Sequence, residues 1–248
     1  MDMHIGIRCI LAACIAFASA GTVSAAKQAG LPLRGQVVLV DAGHGGRDAG
    51  GQVPGLDEKD LVHAIARRTA ASLRRAGARV VESRTSDANL VARKPKPGNL
   101  QRMNLQARVE LAERSRANVF LSIHANKYSD PTARGAQVFL GEQPDPVRQL
   151  LGACLQSEIA PVAESRRSLD MTRDLYLMRH LKIPAALIEV GFMTNPAERQ
   201  QLVDSAYQER LAEAITRGVA CFVSGQAGAR SIPGPPRAAR THGGASSA

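Results

Sequence analysis

The stretch QVVLVDAGHGGRDAGG, Gln36–Gly51, decides how the rest of the chain is read. Its first half, Gln36 to Gly43, is an apolar, β-branched run that ends in a turn, the pattern of a buried strand. Its second half sets His44 between Gly43 and the pair Gly45–Gly46. Glycine lets a backbone turn tightly and lets another group come close. The segment therefore reads either as a loop that presents a ligand or as a tight turn that merely carries a histidine.

The downstream segments alternate helix and strand patterns. EKDLVHAIARRTAASLRRAG, Glu58 to Gly77, steps Leu61, Ile65, Thr69 and Leu73 at four-residue intervals, which predicts an amphipathic helix stopped by Gly77. ARVVESR (Ala78 to Arg84) predicts a second strand, and LQARVELAERSRA a second helix. LVARKPKPGN, between them, is a basic loop broken by proline. NVFLSIHAN (Asn118 to Asn126) is a strand ending on a second histidine, and GAQVFL is a further short apolar run. A helix over Pro146–Ile159, a strand over Ala185–Val190 and a last helix over about Ala206–Val223 complete the pattern. Strands alternating with helices predict an α/β fold: one three-layer domain, its mostly parallel sheet covered on both faces. From Gly225 the composition turns to Gly, Pro, Ala, Ser and Arg, which predicts a solvated tail over 225–248.

The chain has 248 residues, ample for one α/β domain, and a formal net charge of +10. Such an excess favours a polyanionic partner: nucleic acid, a membrane surface or an acidic wall polymer. There is no helix-turn-helix pattern and no basic run interleaved with aromatics, so nucleic acid is not expected. Trp is absent and there are only 3 Tyr and 5 Phe, which argues against a ligand held by aromatic stacking. Near the N-terminus, Arg8 precedes the apolar run CILAACIAFASAG, and VSA (Val23–Ala25) offers small residues for a signal peptidase. The run is too short to span a membrane. It predicts a leader over 1–25, a linker over 26–35 and export, with the periplasm as destination. LAAC, Leu11–Cys14, is a rival lipobox that would anchor the chain to lipid instead. Removal of the leader takes Cys9 and Cys14 with it. Cys154 and Cys221 remain in apolar helical contexts and are expected as two buried thiols, with one bridge the alternative.

In α/β sheets, sites form beyond the carboxyl ends of the strands. His44 follows the first strand, His124 ends SIH, Glu189 ends ALIE and Glu58 opens the first long helix. Each has a plainer reading alone: a turn histidine, a hydrogen-bonded core histidine, a helix-dipole carboxylate. Glu189 resists this, because a carboxylate flanked by apolar residues needs a partner or a metal. Two histidines and a carboxylate with one open position are the donor set of a hydrolytic zinc site, and another carboxylate beside it can act as general base. His63 in LVHAIA reads as packing or surface, and nothing in the spacing of His180 demands a role at the site.

The blocks VDAGHGGRDAG, EKD, SRTSD, LQARVELAERSRANVFLSIHAN and ALIEVGFMTN resemble, in this order, the signatures of zinc-dependent N-acetylmuramoyl-L-alanine amidases of the amidase-3 type. The resemblance runs from about Gln36 to Phe222. It implies a six-stranded sheet, one zinc ion and hydrolysis of the amide joining the lactyl group of N-acetylmuramic acid to L-alanine in peptidoglycan. It further implies His44, Glu58 and His124 as zinc ligands and Glu189 as the catalytic carboxylate. Asn126 and Arg84 are candidate substrate contacts, Arg84 through a stem-peptide carboxylate. The sequence departs from the family at Ala42, where proline is frequent, and at KPKPGN, which reads as a surface insertion. Some periplasmic relatives insert a cleft-plugging helix between the SIHAN and GF blocks. Only 65 positions separate His124 from Glu189, so an open cleft is expected. No activator is implied, and the chain is expected to be a monomer. The alternative to an enzyme is a non-catalytic peptidoglycan-binding or regulatory protein on the same fold, and a third reading is a zinc hydrolase for a different amide.

Overall fold

The run that opens the sequence forms β1, Val37–Ala42, in the interior of a six-stranded sheet. The computed structural model describes residues 30–91, 99–172 and 175–230. The expected leader, most of the KPKPGN loop and the end of the tail lie outside these residues, as do the first four residues of the expected linker.

After β1 comes a small hairpin of β2 (Gln52–Val53) and β3 (Leu56–Asp57), which leads directly into helix α1, Glu58–Arg75. The remaining elements are β4 (Arg79–Glu82), α2 (Leu100–Ser115), β5 (Val119–Asn126), β6 (Gln137–Gly141), α3 (Pro146–Val162), β7 (Asp170–Thr172), α4 (Tyr176–His180), β8 (Ala185–Phe192), α5 (Pro196–Val203) and α6 (Ser205–Arg230). The sheet order is β4-β1-β5-β8-β6-β7. Every neighbouring pair is parallel except β6 and β8. The expected α/β class, mostly parallel sheet and helices on both faces are thus as observed. β2, β3 and β7, at two or three residues each, are too short to carry a periodicity.

Alternation along the strands sorts their residues into two cores. One face packs Val38, Val40, Leu121, Ile123, Val138 and Ile188 with residues of α1, α3 and α6. The other packs Leu39, Phe120, Leu187 and Phe139 with residues of α2 and α4, around Leu105 and Leu177. The second face carries the functional row, because Ser122, His124 and Glu189 follow Phe120 and Leu187 at two-residue steps.

Two expectations are corrected. Cys154 of α3 and Cys221 of α6 form a disulfide, with Cα atoms 5.8 Å apart, instead of two free thiols. Their helices pack against one another on the first face, which brings together thiols 67 residues apart in sequence. The last helix also runs through Gly225 to Arg230, six residues into the expected tail. Gly225 lies against Leu150 of α3, so packing carries the helix past the change in composition.

Candidate metal and hydrolytic site

His44 stands just beyond β1 with φ 61°, a left-handed backbone uncommon for a residue with a side chain. Two buried arginines hold the turn. Arg108, from α2, donates to Asp41 Oδ1 at 2.7 Å and to the His44 carbonyl at 2.8 Å. Arg84, beyond β4, donates to the carbonyls of Ala42 (3.2 Å), Gly43 (3.0 Å) and Lys59 (2.6 Å). Asp41 also accepts from the Ser122 hydroxyl at 2.8 Å. Burial by itself would raise the Asp41 pKa, but the Arg108 charge and these hydrogen bonds outweigh it and hold the carboxyl below its ordinary value.

The clamp turns His44 toward Glu58. His44 Nε2 and His124 Nδ1 each lie 3.0 Å from the same oxygen, Glu58 Oε1. Glu58 is the first residue of α1, buried to 5% exposure, and its carboxylate is fixed by the backbone N–H of Ala125 on Oε1 (3.1 Å) and of Gly51 on Oε2 (2.8 Å). It therefore does more than complement a helix dipole. Burial opposes its charge, but His124 and His44 prevail and keep its pKa below the usual carboxylate range. Asp48 Oδ2 lies 3.0 Å from the other nitrogen of His44. Burial opposes protonation of His44, and Glu58 and Asp48 together raise its pKa nonetheless.

The glycines around His44 have a physical reason. A Cβ on Gly43 would lie 2.4–2.8 Å from three atoms of the His124 ring. At Gly50, φ is +68° and a Cβ would meet Glu58 Oε2 and His44 Cδ2 at 2.7 Å. Both positions must lack a side chain for the three polar groups to converge.

Glu189 is the direct neighbour of His124 across the parallel β5–β8 ladder, on the same sheet face. Its Oε2 is sealed from solvent and has no hydrogen-bond partner. Burial, with Glu58 adding to it and His124 and His44 opposing, pushes its pKa up to about 7. An unpartnered buried carboxylate oxygen is costly, and such groups cluster where chemistry needs them.

One donor each from His44, Glu58 and His124 lies within 4.8 Å of the others, and no other such group of His, Cys, Asp or Glu occurs among the described residues. Three convergent N/O donors from rigid element ends, with a carboxylate oxygen left unpaired beside them, fit a catalytic zinc ion.

The other candidates fall elsewhere. Arg84 is 6% exposed and its guanidinium is committed to main-chain carbonyls, so the expectation that it meets a substrate carboxylate is corrected to a structural role. Asn126 ends β5 after a register shift, and its carbonyl accepts from Met193 N at 2.8 Å. His63 stays within α1 outside the cluster, and exposed His180 stacks on Tyr176. Sequence reasoning missed Asp41, Arg108 and Glu198. Glu198, 5% exposed, accepts from Gly135 N and Phe192 N, both at 2.8 Å, and so ties the end of β8 to the segment entering β6. NPAE signals only the helix start that Asn195 caps; the glutamate three residues later leaves the cap for Gly135 and Phe192, which the local pattern does not state.

Comparison with known proteins places this geometry. Residues 38–221 match the Amidase_3 family model, described as N-acetylmuramoyl-L-alanine amidase. The germination-specific N-acetylmuramoyl-L-alanine amidase of Bacillus subtilis is 34% identical over 192 residues, 76% of this chain and 80% of that protein. The amidase AmiA of Escherichia coli is 27% identical over 232 residues, covering 75% of this chain and 76% of that one. Among solved structures, the CwlD amidase of Clostridioides difficile, determined in complex with the GerS lipoprotein, superposes with a TM-score of 0.73 at 32% identity, over 76% of this chain and 98% of that chain. AmiC2 of Nostoc punctiforme gives 0.64 at 30% identity, over 76% and 97%. A match across most of the chain, and the fold it requires, make this protein a member of the N-acetylmuramoyl-L-alanine amidase family of the Amidase_3 type.

Proposed function

We propose that this chain is a zinc-dependent peptidoglycan hydrolase, cleaving the amide between the lactyl group of N-acetylmuramic acid and L-alanine of the stem peptide. The observation that carries the reading is the convergence of His44, His124 and Glu58 beside the unpartnered oxygen of Glu189. When bound by His44, Glu58 and His124, a zinc ion supplies Lewis acidity to the scissile carbonyl and lowers the pKa of water. The two backbone amides on Glu58 fix that ligand's orientation, and the Arg84 and Arg108 clamp fixes the backbone of His44. Glu189 takes the proton of the attacking water as the C–O bond forms. It then delivers that proton to the leaving nitrogen of L-alanine as the C–N bond breaks. Burial that lifts the Glu189 pKa above the ordinary carboxylate range suits a group that must both accept and return a proton. Asn126, at the rim two residues beyond His124, is the proposed contact for the substrate backbone.

The cleft is open in this reading. Between β5 and β8 the described residues form β6, α3, β7 and the five-residue α4, which lends Leu177 to the cleft wall, and none adds a fourth ligand to the three. The proposed form is a monomer, with no activator implied. Among the described residues no helix is long and apolar enough to cross a membrane. The Cys154–Cys221 disulfide supports action in an oxidising compartment outside the cytoplasm, with the periplasm the proposed one.

The test is product analysis on purified sacculi with and without a chelator. Intact stem peptides bearing a free L-alanine amine, formed only with metal present, are expected. Sedimentation with sacculi and no released peptide at all would identify a binding protein instead.

A further inference from the structure

The row that holds His124 and Glu189 does not stop at Glu189. Gln137, the first residue of β6, pairs with Glu189 across the antiparallel ladder and so shares its face of the sheet. Gln137 Oε1 accepts from Arg167 Nη1 at 3.3 Å, and its amide donates to the Ser168 carbonyl at 3.0 Å. Arg167 is further held by the Arg134 carbonyl (2.8 Å) and by the Phe192 ring, 4.6 Å beneath its guanidinium. Beside it opens a cleft of ≈ 660 Å³ lined by Arg134, Glu164, Arg166 and Arg167. Arg134 meets Glu164 only at 3.4 Å with both side chains exposed, an ion pair of small worth. Arg166 is exposed and has no ion-pair partner among the described residues. The cleft therefore carries three guanidinium groups against one carboxylate.

We infer that this cleft is a subsite for the carboxylates of the stem peptide, reached by the leaving peptide as it runs from Glu189 past Gln137. The inference rests on the amidase reading above. Adjacent strands lie about 4.8 Å apart, and two residues of extended peptide reach about 7 Å, so a stem peptide whose first amide sits at Glu189 brings its following residues to this edge. Those residues bear free carboxylates unless they are amidated. Arginine's planar fork suits a carboxylate, and Arg167, held by three partners, lies beside the exposed Arg134 and Arg166.

The experiment compares the full chain with the double variant Arg134→Ala/Arg166→Ala on two soluble muropeptides, one with free stem carboxylates and one with them amidated. Thermal melting checks that both proteins are folded. The variant is expected to raise KM for the carboxylate substrate about tenfold, the scale of one charge-assisted hydrogen bond, and to leave the amidated substrate unchanged. Equal effects on both substrates, or none on either, would overturn the subsite. Titration with the free stem tripeptide decides the subsite even if the chain cleaves neither muropeptide, an outcome that by itself sinks the amidase reading alone. A dissociation constant raised about tenfold in the variant supports the cleft as a carboxylate site, and an unchanged one removes it.

Discussion

Glu189 sits directly across the β5–β8 ladder from His124, one strand away and on the same face. That register puts the proposed proton acceptor beside a proposed metal ligand without any loop having to close. Strand ends hold both groups, and Glu189 Oε2 is sealed from solvent.

Glu189→Gln is expected to retain fold and zinc while lowering kcat at least about 100-fold, the lower end of what a positioned general base contributes. Muropeptide release and metal content measured on one preparation check this. Turnover near the unaltered rate would remove Glu189 from the chemistry.

The pH profile is set by the direction of the Glu189 shift. Its metal-free pKa is about 7 and its working form is the carboxylate, so activity rises as pH climbs through that value. A cation at His44, Glu58 and His124 favours the charged form and moves the limb lower. The acid limb of kcat/KM is therefore expected at or below about 7, and a limb well above 7 would contradict the assignment.

Gly43→Ala tests the packing directly. The new methyl group would lie 2.4–2.8 Å from the His124 ring, which must swing away. Zinc affinity is expected to fall by at least about 10–100-fold, the range seen when the groups that orient a metal ligand are lost, with the far-ultraviolet spectrum unchanged. Competition with a chromogenic chelator measures it.

Asp41 and Arg108, 0% and 4% exposed, form a buried pair. Arg108→Ala leaves the Asp41 charge without its partner and is expected to cost about 3–5 kcal/mol. The folded pKa of Asp41 lies below its unfolded value, so the pair's contribution is complete above the unfolded pKa and is lost as pH falls through the folded one. Urea melts from neutral to acid pH should show that loss in the unaltered protein and a flatter response in Asp41→Asn.

The Cys154–Cys221 bridge joins α3 and α6 on the sheet face away from Glu189. Its loss in Cys221→Ser is expected to lower stability by about 2–4 kcal/mol and to leave kcat at 25 °C unchanged. Denaturant midpoints with and without reductant separate this from a side-chain packing effect.

The sequence by itself determined the four candidate residues that the structure brings together and the element ends at which they stand. His44, His124 and Glu189 each end an apolar run, Glu58 opens an amphipathic helix, and these are local patterns. Burial, register and company are not local. Whether an arginine faces substrate or serves the frame depends on what packs around it, and Arg84, a candidate in sequence, is consumed by carbonyls 41 and 42 residues away. Asp41 drew no reading in the sequence, because its partner Arg108 arrives on α2 from 67 residues downstream. The cysteines looked free because the packing of α3 on α6 is written in neither helix alone. The row from His124 through Glu189 to Gln137 exists only because β6 enters the sheet antiparallel to β8, a choice of strand pairing that the sequence of neither strand states.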